Sequence, residues 1–293
     1  VMKRIRAFFS RHAWKVSFSF KRFFLQWFSI FAILWTFIDF ADFYAAKAKA
    51  NLWNPPVWSV LLTGILIAGW LSRPRLTRTV RLKDKDVAIH IKVDDIFRQK
   101  GCVAIIPANN WFKMDHVSEA SVQVQYRDRF FGSEAEFNRL AESRLANEPH
   151  VRGSYNGEPV KEYALGTVIR LEPPSRSIKA AYLVATARLN PFGRAIPSRD
   201  DLRNGLIAAW GYIAARGGRE PLVIPIMGSG RHRINLNRFE LMHDIVQSFV
   251  QAVDHNKFTE ELTIVIHPDS FIRHQYSLNE MEEYLNYVCK FGA

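Results

Sequence analysis

The chain has 293 residues, 48% of them hydrophobic and 13% aromatic, with a formal net charge of +12 and a pI near 9.8. That charge is uneven: residues 1–83 carry all +12 and the other 210 residues balance to zero, which excludes a basic nucleic-acid-binding domain as the source of the pI. Two cysteines, Cys102 and Cys289, exclude a disulfide framework and fit no zinc spacing, and the nine histidines form no metal motif, so neither metal nor cofactor is expected.

The first 22 residues form a basic segment with Lys3, Arg4, Arg6, Arg11, Lys15, Lys21 and Arg22. Residues 23–38 then carry no charge and are apolar on every helical face, the pattern of a helix with no side to show water. This predicts a first transmembrane helix over about 23–46, running through Asp39 and Asp42. Those two acids sit at the membrane interface or face a partner helix. Residues 50–72 are 23 uncharged positions, about 35 Å of helix against a hydrocarbon layer of about 30 Å, and make the clearer span, expected over about 53–72. Asn54, Pro55 and Pro56 break the chain before it, giving a two-helix hairpin.

Basic residues flank both outer ends of the hairpin, with Arg73, Arg75, Arg78, Arg81 and Lys83 after it and only Lys47 and Lys49 between the spans. The positive-inside bias places both ends in the cytoplasm, as expected of a multi-pass protein of the cell inner membrane, with the cations also meeting anionic lipid headgroups. Ala48, Lys49 and Ala50 form a small-x-small cleavage pattern, but a 22-residue basic lead is long for a signal peptide and would leave the second apolar run unexplained. Residues 73–86 read as a basic linker.

From residue 87 to 293 strands alternate with helices. Residues 87–93 alternate apolar and polar, while 103–106, 181–185, 222–226 and 262–266 are short apolar runs of buried strands, and 163–171 is a sixth candidate. Ser133 with Glu136, Ser198 with Asp201 and Ser277 with Glu280 are capping boxes that announce helices. Residues 237–253 put Phe239, Met242, Ile245, Val246, Phe249 and Val253 on one helical side. The fold class is α/β with a mixed, largely buried sheet.

In such sheets ligands sit beyond the carboxyl ends of strands. The turns found there carry Asp94, Asp95 and Ile96, then Asn109 and Asn110, then Ser118 and Ser121 before a helix, and Gly228, Ser229, Gly230, Arg231 and His232. Gly228 and Gly230 let backbone amides approach an anion and Arg231 adds charge, so this last turn suits a phosphate or diphosphate.

These residues, in this order, resemble the macro domain, a three-layer α/β/α module that binds ADP-ribose. Asp95 and Ile96 match the family's Asp-Ile pair at the adenine, Asn110 its Asn at the distal ribose, and Gly228 to Gly230 its second phosphate loop. Residues 111–120 contain no glycine, whereas hydrolytic macro domains have a glycine-rich first loop there, which speaks against an enzyme and leaves no catalytic residue to name. Ser121, Val122, Gly166 and Thr167 complete a pattern similar to the macro domains that follow two transmembrane helices in bacterial type II Thoeris antiphage defence.

That resemblance implies a membrane-anchored effector whose ligand is an ADP-ribose-derived signal, a histidine adduct of ADP-ribose, made by a TIR-domain partner protein. It further implies a homo-oligomer that disrupts the membrane or aborts infection. In that arrangement Asp95 accepts from the adenine amino group, Ile96 lines its pocket, Asn110 meets the ribose, and Ser121, Val122 and the Gly228 to His232 turn hold the diphosphate. Gly166 and Thr167 lie alongside. A membrane-tethered ADP-ribosyl hydrolase and a scaffold or pore subunit without a nucleotide ligand are the alternatives.

Overall fold

The computed structural model describes residues 2–47, 55–114, 117–173, 178–227 and 237–292. The chain divides into two compact units, Val1–Leu76 and Thr77–Ala293.

In the first unit the basic lead forms two short helices, α1 (Met2–Phe8) and α2 (Arg11–Ser17), separated by Ser10, whose Oγ accepts from the Ala13 amide as the N-cap of α2. α3 (Phe20–Lys47) continues through Asp39 and Asp42 for 28 residues. At about 1.5 Å per residue it measures about 42 Å, and among the described helices it alone is long and apolar enough to cross a membrane. α4 (Val57–Leu71) has 15 residues, about 22 Å, because Pro56 stands at its N-cap and Ser72 ends it. This reverses the expectation that 53–72 is the clearer span: an uncharged run need not be helical throughout. Residues 48–54, between the two helices, lie outside the described set.

α3 and α4 touch along a defined line. Trp27 Nε1 donates to the Leu61 carbonyl at 3.2 Å, and Ser72 Oγ donates to Gln26 Oε1 at 3.3 Å. The residues of α4 that become buried are Val60, Gly64 and Ala68, spaced by four and therefore on one face.

The second unit begins with β1 (Thr77–Arg81) and β2 (Ala88–Val93), then β3 (Val103–Asn109), α5 (Val122–Phe130) and α6 (Glu134–Leu145). A hairpin of β4 (His150–Tyr155) and β5 (Glu158–Tyr163) follows, then β6 (Val168–Leu171), β7 (Ala180–Leu189), β8 (Ala195–Ile196) and α7 (Arg199–Arg216). The chain closes with β9 (Leu222–Pro225), α8 (Arg238–His255), β10 (Glu261–Ile266), α9 (Pro268–His274) and α10 (Leu278–Phe291). The main sheet runs β1-β2-β10-β9-β3-β7-β6, with β8 pairing β7 and β4-β5 forming a separate ribbon. β2, β10, β9, β3 and β7 are mutually parallel, whereas β1 and β6 add antiparallel at the edges. The sheet is therefore mixed, as expected.

Alternation along the strands separates two helical layers. Ala104, Ile106 and Ala108 of β3 and Ala181, Leu183 and Ala185 of β7 pack with Val124, Tyr126, Phe130, Phe137 and Ala141 of α5 and α6. On the opposite face Tyr182 meets Tyr212 of α7 with ring centres 6.0 Å apart, and Thr186 lies beneath Gly205. The three caps read from the sequence are made, Ser133, Ser198 and Ser277 each accepting from an amide three residues on, and Ser121 and Asn237 cap their helices in the same way.

Two expectations are corrected. The segment taken as a basic linker, 73–86, contains β1, whose Val80 and partly covered Arg78 belong to the sheet edge. The single strand expected over 163–171 is two: β5 ends at Tyr163, a turn follows in which the Thr167 amide donates to the Ala164 carbonyl, and β6 begins at Val168.

Candidate functional site

Because the central strands are parallel, the loops after β2, β3 and β9 leave from the same edge of the sheet. At the first of these the Asp94 amide donates to the Ile266 carbonyl at 3.1 Å, and the buried Asp94 carboxylate accepts the Asp95 amide at 2.9 Å. Asp95 then caps a 3-10 turn, Ile96–Arg98, with Oδ1 accepting from the Phe97 amide at 3.1 Å. Its Oδ2 accepts from Arg129 Nη1 at 2.5 Å. Arg129 lies in the last turn of α5, its guanidinium carbon 5.1 Å from the centre of the Phe97 ring and its Nη2 3.3 Å from Gln125 Oε1. Ile96 and Phe97 are buried beneath, Phe97 stacking on Tyr126 at 6.1 Å. Burial pushes the Tyr126 phenol well above its usual range, so it stays protonated and donates to the Leu171 carbonyl at 3.3 Å.

The second loop is held from both sides. Asn109, where the β3-β7 register shifts, spends its whole carboxamide on the turn that follows: Oδ1 accepts the Trp111 amide at 3.0 Å and Nδ2 donates to the Lys113 carbonyl at 2.7 Å. Asn110 ties three strands together. Its amide donates to the Ala187 carbonyl at 2.8 Å, its carbonyl accepts the Tyr163 amide at 2.8 Å, and its Oδ1 accepts the Leu189 amide at 3.0 Å. That last bond fixes the carboxamide orientation and leaves Nδ2, a donor, without a partner among the described residues.

The stretch after Asn110 is anchored by large side chains. Trp111 packs with Val160, Leu189 and Tyr155, and Phe112, at a left-handed φ of 55°, meets Tyr163 edge-on at 5.7 Å. Trp111, Phe112 and Met114 are all buried. The absence of glycine therefore goes with a loop pinned into the core.

α5 opens onto this region. Ser121 Oγ accepts the Val124 amide at 3.1 Å and the Ser121 carbonyl accepts the Gln125 amide at 3.0 Å. The amides of Val122 and Gln123 are left without acceptors among the described residues, as first-turn amides are. The Val122 side chain packs on the core, so its backbone is what it offers. Gln123 is 3% exposed, yet its Nε2 is buried without a hydrogen bond.

Gly166 and Thr167 are explained by the scaffold. The Gly166 amide donates to the Ala185 carbonyl at 2.8 Å and the Thr167 carbonyl accepts the Ala185 amide at 3.0 Å, extending the β6-β7 pairing. The turn read at Gly228, Ser229, Gly230, Arg231 and His232 lies outside the described residues, within 228–236. Cys289 is buried and its thiol is pushed up to about 11 by that burial, while Cys102 packs partly covered against the core. Among the described residues no group of His, Cys, Asp or Glu is arranged to hold a metal ion.

Arg129 and Gln123 were not singled out from sequence. Both sit on α5, and the only signal available was Ser121, whose cap fixes the helix phase and hence which residues turn toward the sheet edge.

A family model described as the macro domain of the Thoeris protein ThsA matches residues 89–267. No curated protein gives a significant match. Among solved structures, the fold is similar to the Oceanobacillus iheyensis macrodomain. A mutant with ADPR aligns at 15% identity and a TM-score of 0.51, over 71% of this chain and 99% of that one. A second mutant aligns at 14% and 0.50, over 72% and 100%, and the form with ADP at 14% and 0.50, over 71% and 98%. At these identities the likeness shows the fold.

Proposed function

The chain belongs to the Thoeris ThsA macro-domain family, and on that premise we propose that its second unit is a receptor for an ADP-ribose-derived nucleotide. The observation that carries the reading is Asn110: its Oδ1 is locked by the Leu189 amide, so a pre-oriented Nδ2 donor stands at the carboxyl edge of β3. A donor held in that way suits a ribose hydroxyl oxygen.

Around it, Asp95 accepts from the adenine amino group, Ile96 forms the pocket floor, and the open Val122 and Gln123 amides at the positive end of α5 take the diphosphate. The family resemblance assigns further phosphate contacts to Gly228, Ser229, Gly230, Arg231 and His232, which lie outside the described residues. Gly166 and Thr167 support the sheet beside it. The related macrodomain structures with ADP and ADPR favour this ligand class. The buried aromatic loop after Asn110, in place of a flexible glycine-rich one, favours a receptor over a hydrolase.

The signal is a histidine adduct of ADP-ribose supplied by a TIR-domain protein, and its binding drives self-association of the chain. α3 and α4 form an inner-membrane hairpin with both ends cytoplasmic, α4 depending on its contact with α3 because it is short. Oligomerisation of these helices disrupts the membrane and aborts infection. Such coupling requires that the nucleotide bind one assembly state better than the other.

The test is calorimetry of the full chain in detergent micelles with ADP-ribose and with its histidine adduct. Saturable binding is expected for the adduct, and Asp95→Ala should abolish it. At about 100 times the dissociation constant the ligand should add about 2.7 kcal/mol of stability. No binding heat and an unchanged melting temperature with both compounds would overturn the reading.

A further inference from the structure

We infer that Arg129 is a positioning residue that makes the base pocket selective for a purine carrying an exocyclic amino group. The inference rests on the receptor reading and adds to it a residue outside the loops that carry the family resemblance.

Asp95 has its two oxygens differently employed. Oδ1 is bound to the backbone as the cap of the 3-10 turn, through the Phe97 amide. Oδ2 accepts from Arg129 Nη1 and, like Oδ1, keeps a second lone pair for a ligand. A carboxylate oxygen has two lone pairs, so Oδ2 can keep its Arg129 bond and still accept an amino N–H.

Arg129 is itself fixed in place. Its guanidinium lies over the Phe97 ring and its Nη2 reaches Gln125 Oε1, one turn back on α5. Phe97 is buried between the 3-10 turn and α5, against Tyr126 and Phe130. The carboxylate, the cation and the ring thus form one connected cluster in which Oδ2 meets the guanidinium. Arg129 remains 42% exposed and Asp95 20% exposed, so the cluster faces solvent and is open to a ligand. A pair this exposed contributes little to folding. An adenine presents an amino donor to such an acceptor, while hypoxanthine presents a carbonyl oxygen and is repelled. A site built around one hydrogen bond rejects the analogue that cannot make it.

The experiment measures dissociation constants of ADP-ribose and its hypoxanthine counterpart for the full chain in micelles, comparing the wild type with Arg129→Met and Arg129→Lys. The wild type should prefer the adenine nucleotide by about tenfold or more, given a discriminating hydrogen bond. Arg129→Met should bring the ratio close to one while retaining the ribose and diphosphate contacts, and Arg129→Lys should fall between, since it keeps charge but loses the planar fork. A ratio of two constants does not depend on the fraction of protein that is folded, so a poorly folding variant still gives an answer. If Arg129→Met keeps the wild-type ratio, the inference is overturned. A wild type that binds both nucleotides equally overturns it as well while leaving the receptor reading intact. A wild type that binds neither removes the receptor reading itself.

Discussion

A Cβ placed on Gly166 would stand 2.7 Å from the Cβ of Ala208, so the chain before β6 presses directly on α7. Gly166 also has a φ of 86°, a conformation that L side chains rarely adopt. Gly166→Ala therefore meets two penalties, about 1–2 kcal/mol for the left-handed backbone and about 1–3 kcal/mol for overpacking. The expected outcome is a melting temperature lowered by several degrees, with nucleotide affinity of the folded protein unchanged. An unchanged melting temperature with lost binding would instead make Gly166 a ligand residue.

Gln123 makes the opposite prediction. A buried donor without a partner costs about 1–3 kcal/mol, and that cost is relieved if a ligand or water takes the hydrogen bond. Gln123→Met keeps the shape and removes the polar group, so the ligand-free protein should gain up to about 1 kcal/mol. The stabilisation produced by saturating nucleotide should shrink at the same time. Thermal melts with and without ligand measure both. A variant that melts lower and keeps its full ligand shift would show that Gln123 serves only the core.

Three histidines set the pH response. Burial lowers the pKa of His90 and His243, and His274 is lowered as well, first by burial and then by Arg238 and Arg273. A lowered pKa in the folded state means that the unfolded chain binds more protons below about pH 6.5, the ordinary histidine value. Stability should therefore fall as pH drops from 7.5 to 5.5, the reverse of a histidine stabilised by a carboxylate. His243 stacks on Tyr284 with ring centres 3.4 Å apart. His243→Phe keeps that stack and removes the titration, so its melting temperature should depend less steeply on pH over the same window. An identical slope would assign the effect to His90 and His274.

The parallel core was legible because four of its strands are continuous apolar runs and β2 alternates, and the helices were legible where a serine cap or a one-sided apolar stripe announces them. Edge elements were not. β1 reads as a charged linker because its Arg78, Arg81 and Thr residues suit a sheet edge, where only one side is covered. The β4-β5 ribbon was missed although Asn156 and Gly157, at φ of 49° and 90°, are a hairpin turn signal; its strands carry too little apolar alternation to stand out. In the site, Asp95 and Asn110 were found from their places after strands. What those side chains already bind, Arg129 for one and the Leu189 amide for the other, depends on contacts between residues 34 and 79 positions apart, which no local pattern carries.

The pairing of α3 with α4 turns on one small residue. A Cβ at Gly64 would lie 3.0 Å from Trp27 Cδ1, and the same indole donates through Nε1 to the Leu61 carbonyl. Gly64→Leu must push the indole aside and break that bond, whereas Gly64→Ala needs a shift of only a few tenths of an ångström. Between apolar helices in lipid, close packing and single hydrogen bonds replace the hydrophobic drive, a hydrogen bond contributing about 0.6 kcal/mol and at most about 1.7. Losing both should separate a helix as short as α4 from its partner. Gln26→Cys with Ser72→Cys, in a Cys102→Ser, Cys289→Ala background, places two thiols where the native side chains are in contact. A short bismaleimide should link them rapidly in vesicles when residue 64 is Gly, more slowly with Gly64→Ala, and hardly at all with Gly64→Leu. Equal linking in all three would mean that α4 is held by something other than this face.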